Sequence, residues 1–353
     1  MRRRALLAGL AAFSAVPEGA LMAQNQDLYV PPEEAPHDRT FMMWPASREV
    51  YPDLGFLAHV QATIADIANA ITAFEPVVML AHPDQHSAAR ALLDGTVTLW
   101  DVPTEDLWAR DAGPLFAFRA DALVVSHIRF NGWGARQVHR ADGMVAQRVA
   151  ERLGLARVDS GLIGEAGGVE HDGHGLLMAH ESSWVHPNRN PGLSRAEIEA
   201  RLLTAYGAER MIWSKGVRDQ DITDYHIDSL ARFTGPGRVL INLPDAPDPF
   251  DPFHAAALDT HDALEAAGLQ IDVIPEPERR RVATEDFVAS YANYYVCNGA
   301  VIAAQFGDAE TDRIARDALR RHYPGREVVM LNVDALGEIG GGIHCATQQM
   351  PAL

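Results

Sequence analysis

Apolar positions recur at helical spacing in five stretches, residues 57–74, 143–153, 194–206, 255–267 and 308–322. The third opens on Ser194 with Glu197 three residues later, the spacing of a capping box. Between the stretches lie short β-branched or aliphatic runs at 76–80, 122–128, 239–242, 271–274 and 299–304, long enough for strands and too short for helices. Strands alternating with helices predict an α/β fold. About five strand–helix groups follow one another, and the identity between them is too weak to prove a repeat. Periodicity alone leaves a doubly wound sheet and a closed propeller equally open. The proline-rich segment 243–253 (LPDAPDPFDPF) reads as a loop, and no low-complexity linker divides the chain. Residues 24–353 are therefore expected to form a single domain.

The first 23 residues follow another pattern. Arg2, Arg3 and Arg4 precede the apolar run 5–16, and Ala23 ends the Leu21-Met22-Ala23 stretch that follows Pro17. A basic head, a short apolar body and a small residue at the cut form a signal peptide, and the adjacent arginines suggest the twin-arginine type. An exported protein, periplasmic or secreted, is the expectation; if the leader is not genuine, the protein is cytoplasmic. No later stretch reads as long and apolar enough to cross a bilayer.

Composition narrows the function. The chain has 353 residues, 47% hydrophobic and 22% charged, as expected of a globular protein. Its formal net charge of −18 repels a phosphate backbone or an anionic lipid face, so neither nucleic acid nor membrane is an expected partner once the leader is removed. The charge suits a cationic ligand. Lys215 is the one lysine available for Schiff-base chemistry. Of the two cysteines, Cys297 lies in a strand-like apolar run and reads as a packed thiol, whereas Cys345 follows Gly340-Gly341-Gly342-Ile343-His344, where backbone can approach a ligand. In an exported protein a disulfide between them is the plainer reading; a catalytic Cys345 is the sharper one.

Four clusters carry candidate chemistry: Trp108 to Pro114 with Asp111, Glu165 to Gly173 with Glu170, Asp221 to Phe233 with His226 and Asp228, and the Gly340 to Gln349 tail. On a strand, His226 and Asp228 would share a face, and a histidine beside a carboxylate serves as an acid or base. Taken singly, each cluster could be a turn, a cap or a buried pair.

Together they resemble the agmatine deiminase and bacterial peptidylarginine deiminase family of the guanidine-modifying superfamily. The residues carrying the resemblance are WARDAGP at 108–114, FNGWG at 130–134, EAGGVEHDG at 165–173, NRNP at 188–191, HIDSLARF at 226–233, YANYYVCNGAVIAAQFGD at 291–308 and GGGIHCATQQ at 340–349. The resemblance implies a five-bladed α/β propeller of pseudo-fivefold ββαβ units around a central site, with no cofactor and no metal. It implies a small cationic guanidino substrate, with agmatine expected and exported peptidylarginine or arginine deimination as the alternative; a homodimer is also admitted. Relatives usually carry Glu-Gly-Gly where this chain has Glu165-Ala166-Gly167, a change tolerable unless the position needs positive φ.

A guanidinium is resonance-stabilised and stays protonated, so its hydrolysis needs carboxylates for the planar fork, a soft nucleophile and an acid for departing ammonia. Asp111 and Asp228 are the expected fork holders, Cys345 the nucleophile and His226 the acid and later base. The resemblance at the Glu-Gly-Gly position implies that Glu165 orients His226. Trp108, Glu170, Asn298 and Gly342 complete the expected substrate site, Asn298 and the glycines placing Cys345. Carboxylates near Cys345 should hold its thiol protonated until a cation arrives. A remote alternative is a zinc hydrolase built on His171, His174, His180 and His186 with Asp172 and Glu181, although their spacing does not set three ligands on one face. A non-catalytic binding protein would have no need of Cys345.

Overall fold

The computed structural model describes residues 28–282, 284 and 287–353. The leader expected at 1–23 lies outside the described residues. Five small sheets make up the fold. In one, Leu115–Arg119 runs antiparallel to Ala122–Arg129, the helix Val145–Leu153 crosses over, and Arg157–Ile163 returns parallel to its neighbour. The same strand–strand–helix–strand unit recurs as Val169–His171, Leu176–His180, Arg195–Tyr206 and Arg210–Ser214. It recurs again as Ala231–Gly235, Arg238–Leu243, Pro252–Ala266 and Gln270–Pro275, and as Tyr295–Cys297, Ala300–Ala304, Ala309–His322 and Glu327–Leu331.

The remaining unit closes the ring. The C-terminal strand Gln348–Pro351 pairs antiparallel with His37–Met43, which the helix Leu54–Ile71 joins to the parallel strand Val77–Ala81. First strands of neighbouring units touch, Gln348–Pro351 against Leu115–Arg119 and Val169–His171 against Ala231–Gly235, so these strands face the axis. The architecture is the five-bladed α/β propeller, and the doubly wound sheet is excluded.

Helix starts are set by side-chain caps. Asp53, Ser194, Asp251 and Asp308 accept the amides of Phe56, Glu197, Phe253 and Glu310, and the Ser194–Glu197 capping box is complete. Two helices begin three residues before the apolar period suggests, at Leu54 and Pro252, because the capping aspartate precedes the first buried position. Strands Val77–Ala81 and Ala300–Ala304 are buried along their length, which explains why they read as unbroken apolar runs. One expectation is corrected here. The helix Leu54–Ile71, 18 residues with mean hydropathy 1.2, does reach the length and composition of a membrane span. Its Val60, Ile64, Ile67 and Ile71 are buried in the main core.

Candidate active site

Every unit delivers a polar side chain from the loop just before its axial strand. Asp111 precedes Leu115–Arg119, Glu165 precedes Val169–His171, and His226 and Asp228 precede Ala231–Gly235; Asn293 precedes Tyr295–Cys297, and His344 and Cys345 precede Gln348–Pro351. Five loops at equivalent places in five units converge on one end of the axis, which is how residues from opposite ends of the chain meet.

Cys345 Sγ lies 3.4 Å from Asp228 Oδ2 and 3.1 Å from the Asn293 side-chain amide that donates to it. The Cys345 amide donates in turn to Asn293 Oδ1 at 3.4 Å. Both cysteines are free thiols, so the disulfide reading falls, and Cys297 is fully buried as a packed thiol. Asp228 is wholly buried, and its Oδ1 has no hydrogen-bond partner. His226 Nε2 lies 3.2 Å from Glu165 Oε2, and Nδ1 lies 3.7 Å from Asp111 Oδ1. Asp111 accepts from Trp133 Nε1 at 2.9 Å and from the Gly167 amide at 3.2 Å. Trp133 holds left-handed backbone at φ 53°, ψ 50°, a strained conformation of the kind that collects at functional sites.

His226 and Asp228 do not sit on a strand. They flank and enter the short 3-10 turn Ile227–Ser229, which aims both at the axis before Ala231–Gly235 begins. Ala166 does not adopt positive φ, so its methyl group is tolerated. Gly167 is different: a Cβ there would stand 2.7 Å from Asp111 Oδ1, 3.0 Å from His226 Nδ1 and 3.1 Å from Asp228 Oδ2. Gly342 leaves similar room for Asn293, whose Oδ1 would lie 2.5 Å from an added Cβ.

Charge states follow from this crowding. Burial first, then Asp228 and Asp111, hold the Cys345 thiol well above its usual range, only partly offset by the Gly342 amide and Asn293. Burial would lower His226, but Asp111, Glu165 and Asp228 outweigh it and raise the imidazole to about 9. Burial is also the main cause lifting Asp111 to about 6, although His226 opposes it. Burial alone would raise Glu165 and Asp228. Arg189 and His226 bring the first down, and His344 and His226 the second.

Two expected site residues lie elsewhere. Asn298 does not touch Cys345: it donates to the His37 carbonyl at 2.8 Å, accepts the His37 amide at 3.0 Å, and gives its own amide to Glu75 at 2.7 Å. Glu170 pairs with Arg232 Nε at 2.8 Å and lines a small axial cavity with Glu33, Arg110 and His344, instead of the cavity that includes Trp108. The four histidines of the zinc alternative are scattered. His180 bonds to Tyr225 O and Thr260, and the His171 ring lies tilted against that of Tyr206 at 5.3 Å. Of the four, only His186 joins a group of metal-competent spacing, with Asp219 and Asp224, and there Asp224 is already paired with Arg136 and Arg189.

The sequence alone assigned no role to Arg189, Asn293, Trp133 or His344, although each lies in a quoted motif. Arg189 is fully buried, donates to both oxygens of Glu165 at 3.0 and 2.9 Å, and reaches Asp224 at 2.7 Å. Trp108 and Trp133 line a cavity of about 390 Å³ with Asp106, Gln137, Tyr51 and Ile222.

The model of the Porphyromonas-type peptidyl-arginine deiminase family matches residues 29–351. The chain belongs to that family. A Streptomyces coelicolor member of similar sequence, named "Putative agmatine deiminase", is 35% identical over 337 residues, covering 91% of this chain and 98% of its own. Among solved structures, the agmatine deiminase of Enterococcus faecalis superposes with a TM-score of 0.84 at 27% identity, covering 93% of this chain and 97% of its own. The "Putative Arginine Deiminase" of Porphyromonas gingivalis superposes with a TM-score of 0.81, also at 27% identity, over 92% of this chain and 98% of its own.

Proposed function

We propose that this deiminase-family protein hydrolyses the guanidinium group of agmatine, giving N-carbamoylputrescine and ammonia. One observation carries the reading. Cys345 Sγ stands 3.4 Å from one oxygen of Asp228 while the other oxygen of that buried carboxylate has no partner. An unpartnered buried carboxylate oxygen is costly unless a ligand completes it. A guanidinium N–H completes it and brings its central carbon to the sulfur. Agmatine is favoured over free arginine by the cavity at Trp108 and Trp133, in which no described lining residue is basic and Asp53 and Asp106 are acidic. A substrate carboxylate would find no cation there. The Streptomyces coelicolor and Enterococcus faecalis relatives, both named agmatine deiminases, support the same choice.

In this mechanism Asp111 and Asp228 hold the planar fork. The bound cation stabilises the Cys345 thiolate, the thiol proton being released to solvent as substrate binds, and the thiolate adds to the central carbon to form a tetrahedral adduct. His226, protonated between Asp111 and Glu165, gives its proton to the departing ammonia and leaves an S-alkylthiouronium cation. Neutral His226 then takes a proton from water, whose oxygen adds to the same carbon. Collapse breaks the C–S bond, the hydroxyl proton passing to the departing sulfur, and yields the neutral ureido product and the Cys345 thiol. Arg189 keeps Glu165 ionised and fixed, so that it can orient the imidazole.

The test is a panel of agmatine, free arginine, peptidyl-arginine and simple alkylguanidines, scored for ureido product and ammonia. Agmatine is expected to give the highest kcat/KM. Preferred turnover of peptidyl-arginine would assign the alternative substrate, and turnover of none would reject deimination.

A further inference from the structure

Asp228 is a carboxylate with two different ends, and something must hold it that way. The holder is His344, the residue beside the nucleophile. Its Nδ1 lies 2.7 Å from Asp228 Oδ2, the same oxygen that faces Cys345 Sγ. Its Nε2 lies 3.0 Å from Glu33 Oε2 and 3.9 Å from Glu170 Oε1. Glu33 is itself fixed from three sides, by Arg110 at 2.9 Å, Arg232 at 3.0 Å and the Val296 amide at 2.8 Å. The His344 backbone is held as well: its amide donates to Asn293 O at 3.3 Å, and its carbonyl accepts from Arg110 Nε at 3.5 Å. The imidazole is buried and contacted at both ring nitrogens.

We propose that His344 is a positioning residue for deimination: anchored on Glu33, it fixes the rotation of Asp228 so that Oδ2 faces the thiol and Oδ1 is left for the guanidinium. The proposal rests on the deimination reading above and adds to it a line of support from Glu33, in the segment leading into His37–Met43, through His344 to the guanidinium-holding carboxylate of Asp228. Without the Nδ1 contact a carboxylate is free to turn about its last torsion, which is broad and roughly two-fold. It would then satisfy Oδ1 on neighbouring groups, and the guanidinium would have to displace them.

Two amide variants separate the ends of the ring. His344→Asn places its amide nitrogen near the position of Nδ1 and keeps the Asp228 contact; His344→Gln places it near Nε2 and keeps only the Glu33 contact. Turnover of the guanidine panel by the wild-type enzyme is measured first, and a lack of turnover there defeats the deimination reading, not the clamp. With the best substrate of that panel, the dissociation constant is then measured in the Cys345→Ser background for each variant, beside melting temperature and kcat/KM in the Cys345 background. His344→Asn is expected to lose less than about tenfold in affinity, and His344→Gln a further ~10- to 100-fold, the size of a hydrogen bond to a charged group. Equal affinities for the two variants, or losses that follow melting temperature alone, would overturn the proposal. A second measurement does not depend on the folding of His344→Gln. In the wild-type protein the clamp predicts a slowly exchanging imidazole N–H resonance, identified by its loss in His344→Asn, and its absence would overturn the proposal equally.

Discussion

Asp228 Oδ2 and Cys345 Sγ stand 3.4 Å apart, both on loops that precede axial strands, although 117 residues separate them in the chain. At that distance a buried carboxylate opposes a thiolate strongly. The empty site therefore stores the nucleophile as a thiol. A guanidinium bound on Asp228 Oδ1 would reverse the balance, because its positive charge would lie beside both negative groups. The pair that would otherwise disable the cysteine thus makes it respond to substrate.

Alkylation of Cys345 reports this directly. Without ligand, the iodoacetamide rate should rise with pH and not level off below pH 9, since burial and then Asp228 and Asp111 push the thiol well above that value. With methylguanidine present, small enough to leave the sulfur reachable, the profile should move to lower pH. Cys297 is fully buried and should not contribute. Superimposable profiles would reject substrate-linked ionisation.

The pH dependence of kcat/KM should be bell-shaped. Asp111, raised to about 6, must be ionised to bind the cation, so activity falls as pH drops through about 6. His226, raised to about 9, must be protonated to release ammonia, so activity falls as pH rises through about 9. The limbs belong to the coupled pair. Stability has its own sign. His226 is raised from an ordinary 6.5, so its contribution is complete below that value and is lost as pH climbs through about 9. Asp111 is raised from an ordinary 3.8, so its ionisation destabilises the fold as pH climbs towards and past about 6. An acid limb unchanged in Asp111→Asn would contradict the assignment.

Gly167→Ala is a steric test. The added methyl group would meet Asp111, His226 and Asp228 at once, at 2.7, 3.0 and 3.1 Å. Each of the three is itself held, so none can yield freely. A loss of at least about 100-fold in kcat/KM is expected, the scale of an ångström's misplacement of reacting groups. Activity of the Gly167→Ala enzyme close to wild type would show that the three groups can move apart.

The fold was legible where local chemistry decides it, and the site only where one residue type performs the step. Ser194 with Glu197 announces one helix start and the buried strands announce themselves as apolar runs, whereas the capping roles of Asp53 and Asp251 were missed and their helices were expected three residues late. Closure of the ring by Gln348–Pro351 against His37–Met43 had no local signal, because it joins the two ends of the chain. Cys345, His226, Asp228 and Asp111 could be named because the family resemblance pointed to guanidinium chemistry and that chemistry needs such groups; Glu165 was named from the resemblance alone. Arg189 was missed because its work is indirect: it holds Glu165, which holds His226. Glu170 was misplaced because an acid in a catalytic motif can serve a buried arginine, here Arg232, as readily as a substrate.

Arg189→Met should show what that indirect support is worth. The change leaves Glu165 and Asp224 buried without their shared cation, although Asp224 keeps Arg136. Breaking a buried pair by removing one partner destabilises by about 3–5 kcal/mol. Chemical denaturation should show a loss of that order, and a loss below about 1 kcal/mol, the level of a surface pair, would mean the network is not cooperative.

Asn293 and Asn298 form the clearest contrast, since the sequence pattern placed Asn298 at the nucleophile and the structure places Asn293 there. Asn293 donates to Cys345 Sγ at 3.1 Å and accepts the Cys345 amide at 3.4 Å, so it both stabilises charge on the sulfur and fixes its loop. Asn298 joins the strand His37–Met43 to Glu75, far along the blade from the thiol. Asn293→Ala should therefore lower kcat by about 100- to 1,000-fold, as for loss of one donor aimed at charge in the reacting centre. It should also move the Cys345 alkylation profile to still higher pH, because the amide is one of the groups that lower the thiol. Asn298→Ala should cost about 1–3 kcal/mol of stability from unsatisfied partners and leave kcat and the alkylation profile in place. Steady-state kinetics and a pH series of alkylation on the two proteins decide the matter. If Asn298→Ala damaged the thiol's chemistry while Asn293→Ala did not, the placement of Cys345 beside Asn293 would be wrong.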